Sequence, residues 1–431
     1  MLSIFDLAAI LVTLTALFAW FNQRFVKLPR NIGLLLMGLL ASLILVGVDL
    51  AIPHTELYAS VIKAIQQIDF YAAVMNGMLG FLLFAGALHV DLSKLKDRAI
   101  SVALMATVGV ALSTAIAGVG FWALAQVFGI NLPLIWALVF GALISPTDPV
   151  AVMSTLKEVD VPEALETDMA GESLFNDGVG VVIFTILLAL AVQSGGNTQV
   201  GFLPVAKLFV LEALGGAVLG LVTGYLAYFL MRSINEYVSE LMITIALVMG
   251  TYALAHKLHI SGPIAVVVAG LLIGERGPDD AMSEETHRYV FGFWTLIDEL
   301  LNGLLFLLIG LELLVIKFAP AFAWMGLAAI ALVLFARFCA VAAPVTLFGI
   351  RHRFEKGTIP VLTWGGVRGG ISVALALSLP LVEERGVILA ATYAVVLWTI
   401  VAQGLTLKMV VARFVPPGER GVGGITQDDS G

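Results

Sequence analysis

Long apolar segments constrain this sequence more than any other feature. Blocks of about 20 mostly apolar residues recur along the 431-residue chain and are separated by short polar loops. About 20 residues is the length that an α-helix needs to cross the hydrocarbon core of a bilayer. Only 13% of the residues are charged, whereas roughly a quarter are charged in a soluble domain. A membrane β-barrel would instead show short segments of alternating polarity. The sequence therefore predicts an all-α polytopic membrane protein.

The apolar segments predict about thirteen transmembrane helices. Their predicted limits are 3–22, 31–48, 71–90, 99–128, 132–153, 162–193, 205–231, 237–256, 260–274, 289–316, 319–348, 359–382 and 387–412. Residues 1–414 then form one transmembrane domain. The remaining residues, 415–431, are polar and rich in glycine, and we expect them to be a short disordered cytoplasmic tail.

The charges in the loops predict the orientation of the chain. Sixteen Lys and Arg residues fall on the face that holds the first loop and the C-terminus, and five fall on the other face. Because cytoplasmic loops carry the excess of positive charge, the N-terminus is predicted outside and the C-terminus in the cytoplasm of a cell (inner) membrane protein. Residues 52–70 predict an amphipathic helix on the outer surface. The acidic loop 275–288 fits either a cation-attracting vestibule or an ordinary solvated loop.

Two of the predicted helices are interrupted. The fifth contains Ser145-Pro-Thr-Asp-Pro149, and the twelfth contains Trp364-Gly-Gly-Val-Arg-Gly-Gly370. Irregular backbone is tolerated at membrane depth only inside protein or along a water-filled cavity. The two segments lie seven helices apart and cross in opposite directions, which predicts inverted repeats of about 3–193 and 237–412 with a linker helix at 205–231. Matching interruptions indicate a transporter's binding site, and simple packed kinks are the alternative.

The sixth predicted helix carries two carboxylates inside an apolar segment. Glu172 lies roughly 15 Å and Asp177 about 22 Å along the helix from Pro162. Arg368 lies at a depth similar to that of Glu172, so these two are predicted to form a buried structural ion pair. Arg337 in the eleventh helix has no predicted partner, and its side chain is expected to extend toward the membrane surface.

Asp177 is then left without a permanent counter-charge. Ser173 lies four residues earlier, on the same face of the helix. A hydroxyl, a carboxylate and carbonyl groups freed by the broken fifth helix make a hard oxygen site that suits an alkali cation. A carboxylate that binds either a cation or a proton couples their exchange when it faces one side at a time. The alternative is a structural aspartate whose charge is satisfied.

Three further carboxylates have two interpretations each. Asp148 follows the first interrupting proline, where it either neutralises the positive N-terminus of a half-helix or binds the ion directly. Asp298 and Glu299 either line a cytoplasmic funnel or lie at the membrane interface.

Five motifs resemble those of the cation/proton antiporters, and in particular the electroneutral sodium/proton exchangers of the NhaP and eukaryotic type. They occur in the family's order and cover about residues 5–412. The motifs are Ser145-Pro-Thr-Asp-Pro-Val-Ala, Gly171-Glu-Ser-Leu-Phe-Asn-Asp-Gly, Ser261-Gly-Pro-Ile-Ala-Val-Val-Val-Ala-Gly-Leu, Asn302-Gly-Leu-Leu-Phe-Leu-Leu-Ile-Gly-Leu and Trp364-Gly-Gly-Val-Arg-Gly.

The resemblance implies a fold of thirteen helices with a core domain and a dimerisation domain, working as a homodimer by an elevator-like motion. It implies that Asp177 is the exchange carboxylate and that Ser173 and the backbone near Thr147 help to coordinate the ion. It also implies that Glu172 with Arg368 is the family's buried ion pair.

Two positions bear on stoichiometry and affinity. The electrogenic branch of the family has a second aspartate where this chain has Asn176, which implies one cation per proton. Some archaeal members have a glutamate where this chain has Ala85, which supplies no ligand.

Together these features predict secondary active transport that exchanges Na⁺ or Li⁺ for H⁺, with K⁺/H⁺ exchange as the main alternative. A cation channel fits less well, because the ionisable groups are concentrated at one depth. An intramembrane aspartyl protease that uses Asp148 and Asp177 is another alternative, but this sequence lacks the Gly-x-Gly-Asp pattern of that class. The expected partners are alkali cations, protons, the bilayer and a second copy of the chain. No enzyme activity, cofactor, other metal or nucleic acid is expected.

Overall fold

The computed structural model describes residues 3–51, 62, 67–148, 161–193, 202–312, 322–348 and 356–415. Within these ranges every regular element is helical. Nine helices in the described ranges are long and apolar enough to cross a membrane, and two further apolar helices are shorter. The prediction of an all-α polytopic membrane protein is confirmed.

The described residues contain seventeen α-helices, numbered here in chain order. The first nine are α1 (Ile4–Phe21), α2 (Arg30–Ala51), α3 (Leu79–Leu88), α4 (Leu92–Asp97), α5 (Ala99–Leu104), α6 (Val110–Val127), α7 (Leu134–Ile144), α8 (Glu163–Gln193) and α9 (Phe202–Arg232). The others are α10 (Tyr237–Leu258), α11 (Gly262–Arg276), α12 (Glu284–Glu312), α13 (Ala323–Phe348), α14 (Thr358–Trp364), α15 (Gly370–Leu377), α16 (Arg385–Trp398) and α17 (Gly404–Phe414). Short π-helical stretches adjoin several of them, at Asn22–Val26, Ala72–Met78, Met105–Gly109, Gly277–Ala281 and Thr399–Gln403.

A helix lies in each of the thirteen predicted ranges, and α14 and α15 together occupy the twelfth. The number of helices that cross the bilayer, and their division into inverted repeats, stay predictions. Most of the predicted surface helix 52–70 and the tail from residue 416 onward lie outside the described residues.

The ends of several helices follow from local side-chain chemistry. Ser3 and Asp6 form a reciprocal capping box at the start of α1, with 3.1 Å from the Asp6 N–H to the Ser3 Oγ. Ser261 caps α11 by accepting the Ile264 N–H at 3.3 Å, and Pro263 occupies the first turn. The left-handed conformation of His259, with a φ of 55°, ends α10.

Small residues bring neighbouring helices into close contact, as in other membrane proteins. An added Cβ at Gly141 of α7 would lie 2.3 Å from the carbonyl oxygen of Thr114 in α6. A Cβ at Gly220 of α9 would lie 2.2 Å from the carbonyl oxygen of Ala265 in α11. The long helix α8 packs against α7, α9 and α11, which places it inside the bundle.

The two predicted interruptions contact each other inside the bundle. Helix α7 ends at Ile144, and residues 146–148 are non-helical, while Pro149 lies outside the described residues. The second interruption separates α14 from α15. The Asp148 N–H donates a hydrogen bond of 2.8 Å to the Val367 carbonyl oxygen, so one break satisfies a backbone group of the other. Irregular backbone is thus buried within protein, as the membrane environment requires.

Candidate functional site

A cavity of about 630 Å³ extends from the surface to the interrupted helices. Its mouth holds the exposed pair Arg30 and Glu299, and its deep end reaches Asp177. The polar residues that line it are Arg30, Asn31, His89, Asp148, Glu166, Asp177, Thr295, Asp298, Glu299, Asn302 and Ser372. A single cavity therefore connects the protein surface with the carboxylate that the sequence analysis placed at the centre of the site.

Asp177 lies at the deep end of this cavity and is only 6% exposed. It follows the start of α8 by roughly 21 Å along the helix axis. Within the described part of the chain, no hydrogen bond or ion pair engages its carboxylate. A buried carboxylate without such contacts is costly in its charged form unless a cation or a proton joins it.

Asp148 lines the same deep end, beside the start of α15. Its Oδ2 lies 2.1 Å from the position that a Cβ would take on Gly369, the residue that precedes α15. The N–H groups of a first helical turn carry partial positive charge. The position of Asp148 fits the predicted role of neutralising a half-helix N-terminus, and its carboxylate also faces the cavity that Asp177 lines.

Ser173, Asn176 and Thr147 bind to one another behind the cavity. The Asn176 Nδ2 donates to the Thr147 Oγ1 at 2.7 Å, and its Oδ1 accepts the Thr147 N–H at 3.3 Å. The Ser173 and Thr147 hydroxyls are 3.1 Å apart. None of the three is among the residues that line the cavity. Their contacts hold the interrupted segment against α8, and their predicted part in coordinating the ion stays a prediction.

Ser372 is a cavity residue that the sequence analysis missed. It lies in the first turn of α15 and is 1% exposed. Its hydroxyl is the kind of hard oxygen ligand that an alkali cation accepts. The sequence signal was its place just after the glycines of the twelfth-helix interruption.

The prediction of an ion pair between Glu172 and Arg368 is wrong, because Glu172 pairs with Arg337 instead. The Arg337 Nη2 donates to the Glu172 Oε2 at 2.9 Å, and its Nη1 donates to Oε1. Arg337 also donates to the Leu362 carbonyl oxygen at 3.1 and 3.0 Å. The expectation that Arg337 extends toward the membrane surface is wrong as well, since its side chain is buried.

Gly366 explains how Arg337 reaches α8. A Cβ at Gly366 would lie 2.6 Å from the Arg337 Nε, so any larger residue would displace the guanidinium. The glycine-rich interruption of the twelfth helix therefore leaves space for an arginine from α13. Depth along two helices predicted Arg368 as the partner of Glu172. Depth alone does not show which arginine side chain has space to reach that carboxylate.

Arg368 instead holds the backbone of the interrupted fifth helix. Its Nη1 donates to the Ser145 and Pro146 carbonyl oxygens at 2.5 and 2.9 Å. Its own N–H donates to the Thr399 Oγ1 at 3.1 Å. Arg368 thus fixes the segment that leads directly into Thr147 and Asp148.

The mouth of the cavity is acidic, and some of its side chains are joined by an ion pair and a hydrogen bond. Arg30 on α2 binds Glu299 on α12 at 2.6 Å, and both side chains are about half exposed. Asn302 donates to the Asp298 Oδ1 at 3.0 Å. Of the two interpretations of Asp298 and Glu299, their position favours lining a funnel.

Ala85 and His89 form another part of the cavity wall. Ala85 is buried, and its carbonyl oxygen lies 2.7 Å from the His89 Nδ1. The His89 Nε2 lies 3.0 Å from the Thr295 Oγ1, which links α3 to α12 across the cavity. Ala85 thus supplies no polar side chain to this part of the cavity wall.

A second buried ion pair was also missed. Asp168 of α8 is fully buried and accepts from the Arg98 Nε at 3.0 Å. Arg98 lies at the edge of an apolar segment and is one of the sixteen Lys and Arg residues on the face predicted to be cytoplasmic. The available signal was Asp168 itself, four residues before Glu172 and on the same face of α8.

The arrangement has the chemistry of a cation site that is reached from one side. Two carboxylates and a hydroxyl converge at the end of a solvent-connected cavity, and none of them is a soft ligand. The described residues contain no cluster of three or more His, Cys, Asp or Glu side chains that could hold a metal ion. Hard oxygen ligands of this kind suit an alkali cation.

Comparison with known proteins agrees with this chemistry. The family described as sodium/hydrogen exchanger, transmembrane, matches residues 11–413. The chain is 47% identical over 419 residues to the Na⁺/H⁺ antiporter NhaP of Pseudomonas aeruginosa, covering 95% of this chain and 96% of that protein. It is 35% identical to the Na⁺/H⁺ antiporter NhaH of Halobacillus aidingensis, again covering 95% and 96% of the two chains.

A solved structure supports the fold. The sodium proton antiporter MjNhaP1 from Methanocaldococcus jannaschii superposes with a TM-score of 0.71 at 22% identity, covering 94% of this chain and 97% of that one. At this identity the likeness concerns the fold alone. The family match and the close relatives go further, and they show that this chain belongs to the transmembrane sodium/hydrogen exchanger family.

Proposed function

We propose that this protein exchanges Na⁺ for H⁺ across the cell membrane and that Asp177 binds the two ions in turn. The observation that carries the proposal is the pairing of a buried carboxylate with an open cavity. Asp177 has no hydrogen bond or ion pair within the described part of the chain, yet the cavity connects it with the surface. A proton or a cation can therefore neutralise it, and each excludes the other.

The cation enters through the acidic mouth and meets hard oxygen ligands at the deep end. Asp177 and Ser372 line the cavity, and Asp148 lies beside them. Ser173 and Thr147 lie one layer behind and join the ion only after a rearrangement of their mutual hydrogen bond. With the predicted orientation of the chain, the mouth faces the cytoplasm, so this conformation is the inward-facing one.

Coupled exchange also requires that the site is open to only one side of the membrane at a time. A cavity open to both sides would conduct ions down their gradient and would not couple them. The family resemblance implies a homodimer in which one domain moves against the other. Static light scattering of the purified protein in a mild detergent measures whether it is a dimer.

Charge balance favours one cation per proton. Asn176 is neutral and is engaged with Thr147, so Asp177 is the only acidic side chain of the Asn-Asp pair. Exchange of one cation for one proton at a single carboxylate moves no net charge. The rate is then independent of membrane voltage.

The test uses purified protein in proteoliposomes with an imposed pH gradient. Na⁺, Li⁺ or K⁺ is added while a fluorescent dye reports the internal pH, and the cation that collapses the gradient identifies the substrate. Adding valinomycin with equal K⁺ on both sides clamps the voltage in the Na⁺ and Li⁺ experiments. An unchanged rate indicates electroneutral exchange, and a faster rate indicates net charge movement.

Asp177→Asn is expected to abolish exchange while the protein stays folded. Glu166→Gln is the matched control, because it removes a carboxylate from the mouth of the same cavity on the same helix. The control is expected to keep exchange with at most a higher KM. Exchange that survives in Asp177→Asn would refute the proposal. A cation conductance through the parent protein that is not coupled to proton movement would identify a channel.

A further inference from the structure

A small cavity lies between α13, the twelfth-helix interruption and the stretch Thr399–Gln403, apart from the cavity that holds Asp177. Its volume is about 10 Å³, close to the lower limit for one water molecule. Its polar lining includes Arg337, Thr363, Arg368, Thr399 and Gln403. It is separate from the large cavity, whose lining shares no residue with it.

Four buried polar atoms in this lining have no hydrogen-bond partner among the described residues. They are the Nε and Nη2 atoms of Arg368, the Oγ1 of Thr363 and the Oε1 of Gln403. Arg368 and Gln403 are each 1% exposed, and Thr363 is 8% exposed. Leaving one such group unsatisfied is costly, and four around a single cavity call for a shared partner.

The two edges of the Arg368 guanidinium differ in what they bind. The Nη1 atom donates to the Ser145 and Pro146 carbonyl oxygens of the interrupted fifth helix. The Nε and Nη2 atoms form the other edge, which presents two parallel N–H groups to one acceptor. Arg337 does not compete for that acceptor, because Glu172 and the Leu362 carbonyl oxygen already bind its guanidinium.

We propose that this cavity binds one ordered water molecule that completes the hydrogen bonding of Arg368. The water accepts from the Arg368 Nε–H and Nη2–H and donates to Gln403 Oε1 and Thr363 Oγ1. This uses the two acceptor and two donor positions of a water molecule. A halide ion could accept from the arginine edge and from the Thr363 hydroxyl, but it would leave the Gln403 Oε1 unpaired and is larger than water.

The water makes Arg368 a positioning residue for the exchange site. It holds one edge of the guanidinium so that the other stays on the carbonyl groups that precede Thr147 and Asp148. The inference does not depend on ion exchange at Asp177, since its tests measure structure and thermal stability.

The first test is a structure of the purified protein in lipid nanodiscs at a resolution that shows ordered solvent. A solvent peak within hydrogen-bond distance of Arg368, Gln403 and Thr363 is expected. A separate crystal structure of the protein, from crystals soaked in bromide, distinguishes a water molecule from a halide ion. Anomalous density in the cavity would show that an anion binds there instead of water. That result, or a cavity that is empty in both structures, would overturn the proposal.

The second test is a double-mutant cycle of Gln403→Met and Thr363→Val, measured as melting temperatures. With a water present, each variant removes one of its acceptors and lowers the melting temperature by about 2–4 °C. The double variant falls by clearly less than the sum, because both changes act on one water molecule. Shifts that add would contradict the shared partner.

The direction of the shift distinguishes a hydrated cavity from a dry one. In a dry cavity the Gln403 and Thr363 oxygens are uncompensated, so replacing them with apolar groups would raise the melting temperature. Tyr393→Phe is the control for that direction, because its buried hydroxyl has no partner among the described residues and does not line this cavity. Raised values for all three variants would overturn the proposal.

Discussion

Glu172 and Asp177 lie five residues apart on α8, both are buried, and their surroundings are opposite. Five residues turn about 140° around a helix, so the two carboxylates face different neighbours. Glu172 faces Arg337, which binds it through two donors. Asp177 faces the large cavity and has no ion pair within the described part of the chain. The fold therefore pairs one carboxylate with an arginine, and in the proposed function the other carboxylate binds the exchanged ions.

The largest expected effect separates the two carboxylates by stability. Removing one partner of a buried ion pair leaves an uncompensated charge and typically costs about 3–5 kcal/mol. We expect that loss in Glu172→Ala. Asp177→Asn is expected to melt at or above the temperature of the parent protein, because it removes a buried charge that has no hydrogen bond or ion pair among the described residues. Thermal unfolding of both variants in the same detergent and lipid measures the difference. Equal melting temperatures would contradict the assigned roles.

The next prediction tests whether Arg337 is the true partner of Glu172. A buried ion pair can be replaced by apolar residues of similar volume at little cost. We expect Glu172→Met with Arg337→Met to recover most of the stability that either single change loses. Glu172→Met with Arg368→Met is the matched comparison, and it is expected to be less stable than Glu172→Met alone. The reverse order of the two double variants would reinstate Arg368 as the partner.

The sequence was sufficient to single out residues that line the deep end of the large cavity. Asp177, Asp148 and the interruptions stand out because ionisable groups, prolines and clustered glycines are rare inside membrane helices. Such signals belong to single residues and need no knowledge of packing. The contact between Asp148 and Val367 then follows from two breaks at similar depth.

The partners of the buried charges could not be predicted in the same way. Depth along a helix is available from the sequence, but rotation about its axis and the space between helices are not. Arg337 reaches Glu172 only because Gly366 leaves a gap. Ser372 was missed for a similar reason, since the direction of α15 after the interruption decides whether its hydroxyl meets the cavity. An arginine inside an apolar segment fits either a buried carboxylate partner or a side chain that extends to the membrane surface, and only the packing shows which applies to Arg337.

An intermediate effect is expected where that gap is closed. In Gly366→Ala the new Cβ would lie 2.6 Å from the Arg337 Nε, so the guanidinium must shift away from Glu172. Forcing an extra group into a packed interior typically costs about 1–3 kcal/mol. Gly250→Ala is the matched control, because a Cβ there meets no atom within 4 Å and α10 favours alanine over glycine. A melting temperature for Gly366→Ala as high as that of Gly250→Ala would show that Arg337 does not depend on the gap.

The smallest expected effect concerns which hydroxyl near Asp177 meets the cation. Ser372 lines the cavity, whereas the Ser173 hydroxyl lies 3.1 Å from that of Thr147 and is outside the lining. A single hydrogen-bonding group contributes about 0.5–1.5 kcal/mol, so Ser372→Ala is expected to raise the KM for Na⁺ by about 2- to 10-fold with kcat little changed. Ser173→Ala is expected to lower the melting temperature and to change the KM less. The opposite ranking of the two KM values would mean that Ser173 leaves Thr147 to bind the ion, and that the ion-bound conformation differs from this one at the start of the interrupted segment.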